Sequence, residues 1–281
     1  MASWLGYWCA GAYWWVSVFA LLALAIVETA RPARAVSAPM GRRWLESLVL
    51  YVGCVAAVTA FAPGGRAIAL FGRQYAHSPM AALRGVGGET AVLIAGLLVL
   101  DLLSYLVHRM QHGVFLLWRF HAVHHADVDV DVSTTIRHHP VEYLLNATIG
   151  SLVMVMIGTP LWVLPVYALL AAATDAFQHS NVGFPASLDR TLGWLLITPG
   201  LHRVHHSVLA RHHDTNFGGV LSVWDRLFGT LRAIPAEEGD ALRFGLSEMP
   251  APRVSRPGFS WVMPFLMRRS AGGAPAERRS A

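Results

Sequence analysis

The sequence predicts an all-α integral-membrane protein: a helical bundle of about three spans plus a helical hairpin, with a histidine-rich metal-binding cap on the cytoplasmic side. Three observations predict it. Only 14% of the 281 residues are charged and 54% are hydrophobic, whereas a soluble domain averages about 25% charged. Apolar runs of membrane-crossing length recur along the chain. Of the 14 histidines, 13 lie between His108 and His213, where those runs end.

The elements follow in order. Trp4 to Val27 is apolar and uncharged and lacks a basic leader, so it reads as a retained span rather than a cleaved signal peptide. The loop "ETARPARAVSAPMGRR" follows. Leu45 to Phe61 is a second span, closed by "PGG", and a polar, Gly-rich connection runs to Glu89. Ala91 to Val107 is a third span, ending at His108. Leu144 to Ala173 is apolar but broken at Gly158 to Pro160. Two legs of about 14 residues would each reach only about 20 Å, which predicts a hairpin dipping into the bilayer. After the last histidines, Leu221, Trp224, Leu227, Phe228 and Leu231 fall on one helical stripe, predicting a covering helix. "DVDVDV", Asp127 to Val132, reads as a solvated loop whose Asp131 or Ser133 caps the next helix.

All 22 basic residues are arginines, and the net charge is +5. They are scattered or flank apolar runs, with no basic stripe among aromatics, so the pattern implies a membrane surface and no nucleic acid. Arg31, Arg34, Arg42 and Arg43 share one loop. Threading the spans puts that loop on the side of His108 and the Arg-rich C-terminal part, so this side is expected to be cytoplasmic. Cys9 and Cys54 lie in apolar runs without CxxC or CxxCH spacing, which implies no disulfide framework, iron–sulfur cluster or c-type haem.

The histidines carry the chemistry. His108 and His112 form HxxxH. His121, His124 and His125 form HxxHH, and His202, His205 and His206 repeat it. On a helix, positions i, i+3 and i+4 share a face, so each HxxHH aims three imidazoles one way. Eight imidazoles exceed the need of one four- to six-coordinate ion, which favours two metal ions. His179 stands alone in "FQHSN", further pairs occur at His138/His139 and His212/His213, and His77 reads as an interfacial histidine. Asp101 sits inside the third apolar run, where a carboxylate is costly unless paired. Seven residues before His108, it shares that face and is placed to accept the second N–H of a ligand histidine.

Rival chemistries fit less well. A zinc metalloprotease needs HExxH, but the glutamate's position is Arg109. A bis-histidine haem protein places single histidines mid-span. A metal transporter wants polar ligands near the bilayer midplane, where only Asp101 and Asp175 qualify. It stays open as an alternative, as does a non-enzymatic metal-binding membrane protein.

The segments "DLLSYLVHRMQH", "FHAVHH", "DVSTTIRHHPVE", "FQHSN", "HRVHH" and "NFGGVLSVWDRLFGT", in this order, resemble the fatty acid hydroxylase superfamily, which includes sterol desaturases. The resemblance implies an integral-membrane, non-haem di-iron oxygenase that uses O2 and two electrons to hydroxylate or desaturate a lipid C–H bond. Its ligand positions carry over to His108, His112, His121, His124, His125, His202, His205 and His206. His179 is similar to a further ligand of some members. These have another histidine four residues earlier, where this chain has Asp175. His139, in "RHHPVE", is expected to support the ligands from behind, as are Asp101 and Asp175. The division implied is N-terminal spans over 1–90, a catalytic domain over 91–260 and a largely disordered tail over 261–281. Electrons would come from a separate donor such as a ferredoxin or cytochrome. The hairpin with Phe115, Trp118 and Phe120 would supply an apolar wall for a lipid substrate.

Overall fold

A computed structural model describes residues 2–72, 79–235, 238–239, 241–247, 249 and 258–268. His77 and the last 13 residues, 269–281, lie outside the described residues. The described residues form helices, with isolated β-bridges in place of strands.

Five long helices make the bundle: α1 (Ala2–Ala30), α2 (Met40–Gly72), α3 (Pro79–Gly113), α5 (Pro140–Ile157) and α6 (Val163–His179). Among the described residues, Met40–Phe61, α3 and α5 are long and apolar enough to cross a membrane. α1 packs along α6 and α2 along α5, while α3 touches α5, α6 and the cap. The hairpin is deeper than the sequence suggests. Its legs have 18 and 17 residues, so each reaches about 26 Å against a hydrocarbon core of about 30 Å. Gly158 turns between them with φ 69°, a left-handed conformation that glycine adopts without Cβ strain and that caps α5.

Two helix boundaries differ from the sequence reading. α2 continues through "PGG" to Gly72, since backbone groups in an apolar medium are costly to leave unpaired. The Gly-rich connection is helical from Pro79, with the bend confined to Gly88.

The cap gathers on one end of the bundle: α4 (Phe115–His125), a 3-10 turn (Val132–Ile136) and the short helices α7 (Ala186–Leu192), α8 (Pro199–His205), α9 (Ala210–His213) and α10 (Val223–Leu227). The α1–α2 loop lies on this same end, as the threading of spans predicts. Near the end of α1, Glu28 accepts from the backbone N–H of Val132 (3.1 Å) and Asn181 (2.9 Å). "DVDVDV" is not solvated. Asp127 and Asp131 are each 3% exposed, and both hold Arg43, at 2.7 and 2.6 Å. Burial pushes the Asp127 carboxyl up, but Arg43 beside it outweighs burial and holds it below the usual range. Asp131 does cap the following turn, accepting from Ser133 N in a capping box with Thr134. The expected covering helix is only the five residues of α10, and Leu227 and Phe228 stay exposed. Buried carboxylates, rather than an apolar stripe, fix that segment.

Candidate metal centre

Four elements bring the histidines together. His108 and His112 lie at the C-terminal end of α3, and His179 ends α6. His121, His124 and His125 close α4. His202 and His205 lie on α8 and His206 caps it. α8 starts where Thr198 accepts from Leu201 N and Pro199 supplies a preformed first turn.

The imidazoles sort into two groups. His108, His112, His121, His125 and His205 form one, and His124, His179, His202 and His206 the other; within each, one nitrogen per ring lies within 4.8 Å of all the rest. Each HxxHH is therefore split between groups. The i, i+4 pair of α4 enters the first group and its i+3 member the second, while α8 does the reverse. The expectation that three imidazoles aim one way holds only for the pairs, since 100° per residue leaves i+3 and i+4 diverging at close range. His179 joins the second group, and Asp175 stands behind it with Oδ1 3.2 Å from His179 Nδ1.

Hydrogen bonds fix which nitrogen faces inward. Nδ1 of His108 lies 2.9 Å from the Phe217 carbonyl, Nδ1 of His179 2.9 Å from that of Asp175 and Nδ1 of His205 2.7 Å from that of Thr215. Nδ1 of His121 lies 2.8 Å from Glu142 Oε1. A carbonyl or carboxylate only accepts, so these Nδ1 atoms donate and each Nε2 keeps its lone pair. Yet the inward nitrogens approach one another. The Nε2–Nε2 distances are 3.1 Å for His108–His121, 3.0 Å for His124–His179, 2.9 Å for His179–His202 and 3.1 Å for His202–His206. For His108 and His121 both tautomers are fixed, so lone pair meets lone pair, which repels unless a cation sits between them. Two nitrogens about 2.05 Å from one metal and at right angles are about 2.9 Å apart, so the spacing fits a shared ion. His205 Nε2 and both ring nitrogens of His112 are buried without a hydrogen-bond partner, which fits the same reading. Burial lowers the pKa of His121 and takes those of His124, His125, His202, His205 and His206 well below the ordinary histidine value. The rings are thus kept neutral, the form that binds metal.

Several supporting residues differ from expectation. Asp101 touches none of the histidines. It accepts from the backbone N–H of Val220 (3.0 Å) and Leu221 (3.1 Å), from Trp224 Nε1 (2.8 Å) and from the Tyr167 hydroxyl (3.3 Å). Asp225 does the same for Phe217 N and Gly218 N, both at 2.8 Å. Together they clamp the loop whose Phe217 carbonyl holds His108, so Asp101 acts on the cluster only through that loop. A Cβ at Gly219 would lie 2.6 Å from Ser104 Oγ, which explains glycine where the loop meets α3. His139 instead caps α5, accepting from Val141 N. Its neighbour His138 faces the cluster, with its ring stacked 4.4 Å from that of His124. Trp118 packs over His112 and His125, at 5.1 and 5.4 Å, and so covers the cluster rather than lining a substrate wall.

Glu142 is the functional residue the sequence reading missed. It is 2% exposed and binds both His121 and His138. The available signal was a carboxylate opening an apolar helix four residues after a histidine. Glu142→Gln is expected to cost about 10–100-fold in metal affinity, the usual effect of losing a carboxylate behind a ligand histidine. Asp101→Asn should cost thermal stability while holding metal far better. Metal retention against a graded chelator checks the ranking, and equal losses would return Asp101 to direct contact with a ligand.

Residues 93–230 match the fatty acid hydroxylase family. Curated relatives include the ornithine lipid hydroxylase OlsE of Rhizobium tropici, 34% identical over 51% of this chain and 42% of that protein. The alkylglycerol monooxygenase of Homo sapiens is 31% identical over 51% of this chain and 30% of its own length. The fatty acid hydroxylase vlmA of a Lecanicillium species is 29% identical over 47% and 40%. The match spans less than half the length of these relatives. No solved structure matches. All nine clustered histidines lie inside the matched region, and the family match together with these relatives places residues 93–230 in the fatty acid hydroxylase superfamily.

Proposed function

We propose that the chain is a membrane-bound, non-haem di-iron oxygenase that hydroxylates or desaturates a C–H bond of a lipid, with O2 as co-substrate and two electrons from a separate donor such as a ferredoxin or cytochrome. The observation that carries this reading is the convergence of two groups of imidazole lone pairs at the head of an apolar cavity. The cavity has a volume of about 450 Å³, in the range of small-molecule sites. His108, His121, His124, His179 and His202 are part of its lining, which is otherwise mainly apolar, with Leu100, Leu103, Leu164, Ala168 and Ala171, and includes the polar Gln111, Asn146 and Tyr167.

Bound iron would supply the oxidant that an unactivated C–H bond requires. In the hydroxylation, one oxygen of O2 enters the C–H bond, and the other leaves as water with two electrons from the donor and two protons. The residues of this chain do the rest. The Glu142, Phe217, Thr215 and Asp175 acceptors orient the ligand rings. The buried cap excludes water, and the α5–α6 hairpin with α3 holds a chain in line with the histidines. Helix-end histidines, well away from the bilayer midplane, favour an oxygenase over a metal transporter. The names of the relatives, a lipid hydroxylase and a monooxygenase, support the same class. The cap's side of the membrane is the cytoplasmic one, on the strength of the arginine-bearing loop bound to it.

Lipids from host cells making the protein are expected to gain the mass of one oxygen atom, or to lose two hydrogens, relative to cells making His121→Ala. Identical lipid profiles, with iron-loaded protein and a working donor present, would contradict the proposal.

A further inference from the structure

We infer that part of the cap, residues 193–197 and 220–231, is sunk into the bilayer beside α3. Its exposed apolar side chains lie among the upper acyl chains, with Arg190 and Arg226 at the lipid phosphates.

The first observation is depth. Glu89 and Arg109 bracket the apolar stretch of α3. The helix between them is about 30 Å long, which matches the hydrocarbon core of a bilayer. Asp101 and Tyr105 therefore lie about 12 and 6 Å inside the boundary at Arg109. The cap is fastened to α3 at these two residues. Trp224 Nε1 donates to Asp101 at 2.8 Å, Thr230 Oγ1 lies 3.0 Å from the Tyr105 hydroxyl, and the Phe228 ring stacks on that of Tyr105 at 5.2 Å. Residues 193–197 are tied to the same unit, since Ile197 N donates to the Val220 carbonyl and Ser222 N to the Leu195 carbonyl, both at 3.0 Å.

The second is the backbone. Irregular chain at bilayer depth is tolerated only where its polar groups find partners within the protein. The N–H groups of Phe217, Gly218, Val220 and Leu221 end on the carboxylates of Asp225 and Asp101. The Gly193 carbonyl accepts from Ser222 Oγ and from Arg226 Nη2, both at 2.9 Å. Two buried carboxylates given to one short loop make sense where water cannot serve it.

The third is the outer surface. Trp194, Leu227 and Leu195 are 69%, 68% and 61% exposed, and Val223 and Phe228 are exposed beside them. Leu106, next to Tyr105, and Leu98, about two turns deeper, are exposed as well, so the patch continues a lipid-facing side of the span. The exposed charges on residues 186–195 and 222–232 are arginines, Arg190, Arg226 and Arg232. Asp189 is bound to Gly200 N, and Asp225 is buried. Arg226 lies 4.3 Å over the Trp194 ring, an aromatic body and a cation paired as at a membrane interface. An acidic protein would match the arginines but leave large apolar side chains unmatched at hydrocarbon depth; a phospholipid leaflet matches both. The same unit carries the Phe217 carbonyl that orients His108, so the leaflet supports one wall of the metal centre.

The test uses the full chain in phosphatidylcholine vesicles. Leu195→Cys and Leu227→Cys are spin-labelled one at a time in a chain lacking Cys9 and Cys54, with bound metal as the check on folding. Both labels are expected to be relaxed more by O2 than by a water-soluble nickel chelate, at a depth of about 5–10 Å. A label at Ala35, exposed in the α1–α2 loop, should show the reverse. If positions 195 and 227 behave as Ala35 does, the unit lies in water and the inference fails. If both reagents are excluded and labels on different chains broaden one another, a second copy covers the patch and the inference fails as well. Trp194→Phe supplies a measurement with both cysteines in place. Phosphatidylcholine brominated on its upper acyl carbons should quench a component of the wild-type fluorescence that the variant lacks, and equal quenching of the two proteins would overturn the inference.

Discussion

Alanine at His205 is expected to abolish turnover and to empty one of the two metal positions. The ring is fully buried, its Nδ1 is tied to the Thr215 carbonyl at 2.7 Å, and its Nε2 faces the first group without another partner. Asn216, which follows Thr215, holds that carbonyl in place. It sits at φ 55° with its amide donating to the carbonyls of Leu201 (2.8 Å) and Arg232 (2.7 Å). The position is built for one imidazole, and removing it should exceed the 10–100-fold loss typical of a supporting residue. His139→Ala is the matched control. It removes a helix cap, at about 0.5–2 kcal/mol of stability, and should leave bound metal unchanged. If His205→Ala keeps full metal, the first group is not a metal site.

Arg43→Ala is expected to produce the largest loss of stability. The guanidinium is 3% exposed and binds Asp127, Asp131 and the Asp129 carbonyl. Removing one partner of a buried ion pair typically costs about 3–5 kcal/mol, because the remaining charge stays buried and unpaired. Here two carboxylates would be stranded just after the α4 histidines, so the segment 127–136 should become sensitive to protease. Thermal unfolding in detergent checks the magnitude. Arg84→Ala breaks an exposed pair with Glu89 and should shift stability by at most about 1 kcal/mol. Equal effects would place the Arg43 cluster in solvent. The Asp127 carboxyl is held below its unfolded value of about 3.9. Its contribution is therefore present above that pH and is lost as pH falls through the folded pKa, so acid should loosen this junction in the wild type.

The bundle was legible because an apolar run of bilayer length has few other uses, and the histidines because their spacing repeats. The kinked start of α3 was not legible: Gly88 and its neighbours favour turns locally, yet the stretch is helical while almost wholly exposed. Nor was the division of each HxxHH between two groups, which depends on two helices facing each other. Asp101 was rightly singled out as a costly buried charge, but periodicity along its own helix could not show that a loop 120 residues away in sequence supplies its partners. Glu142 was hidden for the same reason, since His121 reaches it across the cap. In "DVDVDV" the alternation suggested solvent, while the partner that buries it, Arg43, lies 84 residues earlier.

The central claim is two metal ions held by two separate sets of histidines. The most direct measurement is the metal content of purified protein after anaerobic iron reconstitution, read with His205→Ala and His202→Ala beside the wild type. About two ions per chain are expected for the wild type, with one lost from each variant. At most one ion in the wild type, or the same ion lost from both variants, would contradict the dinuclear centre.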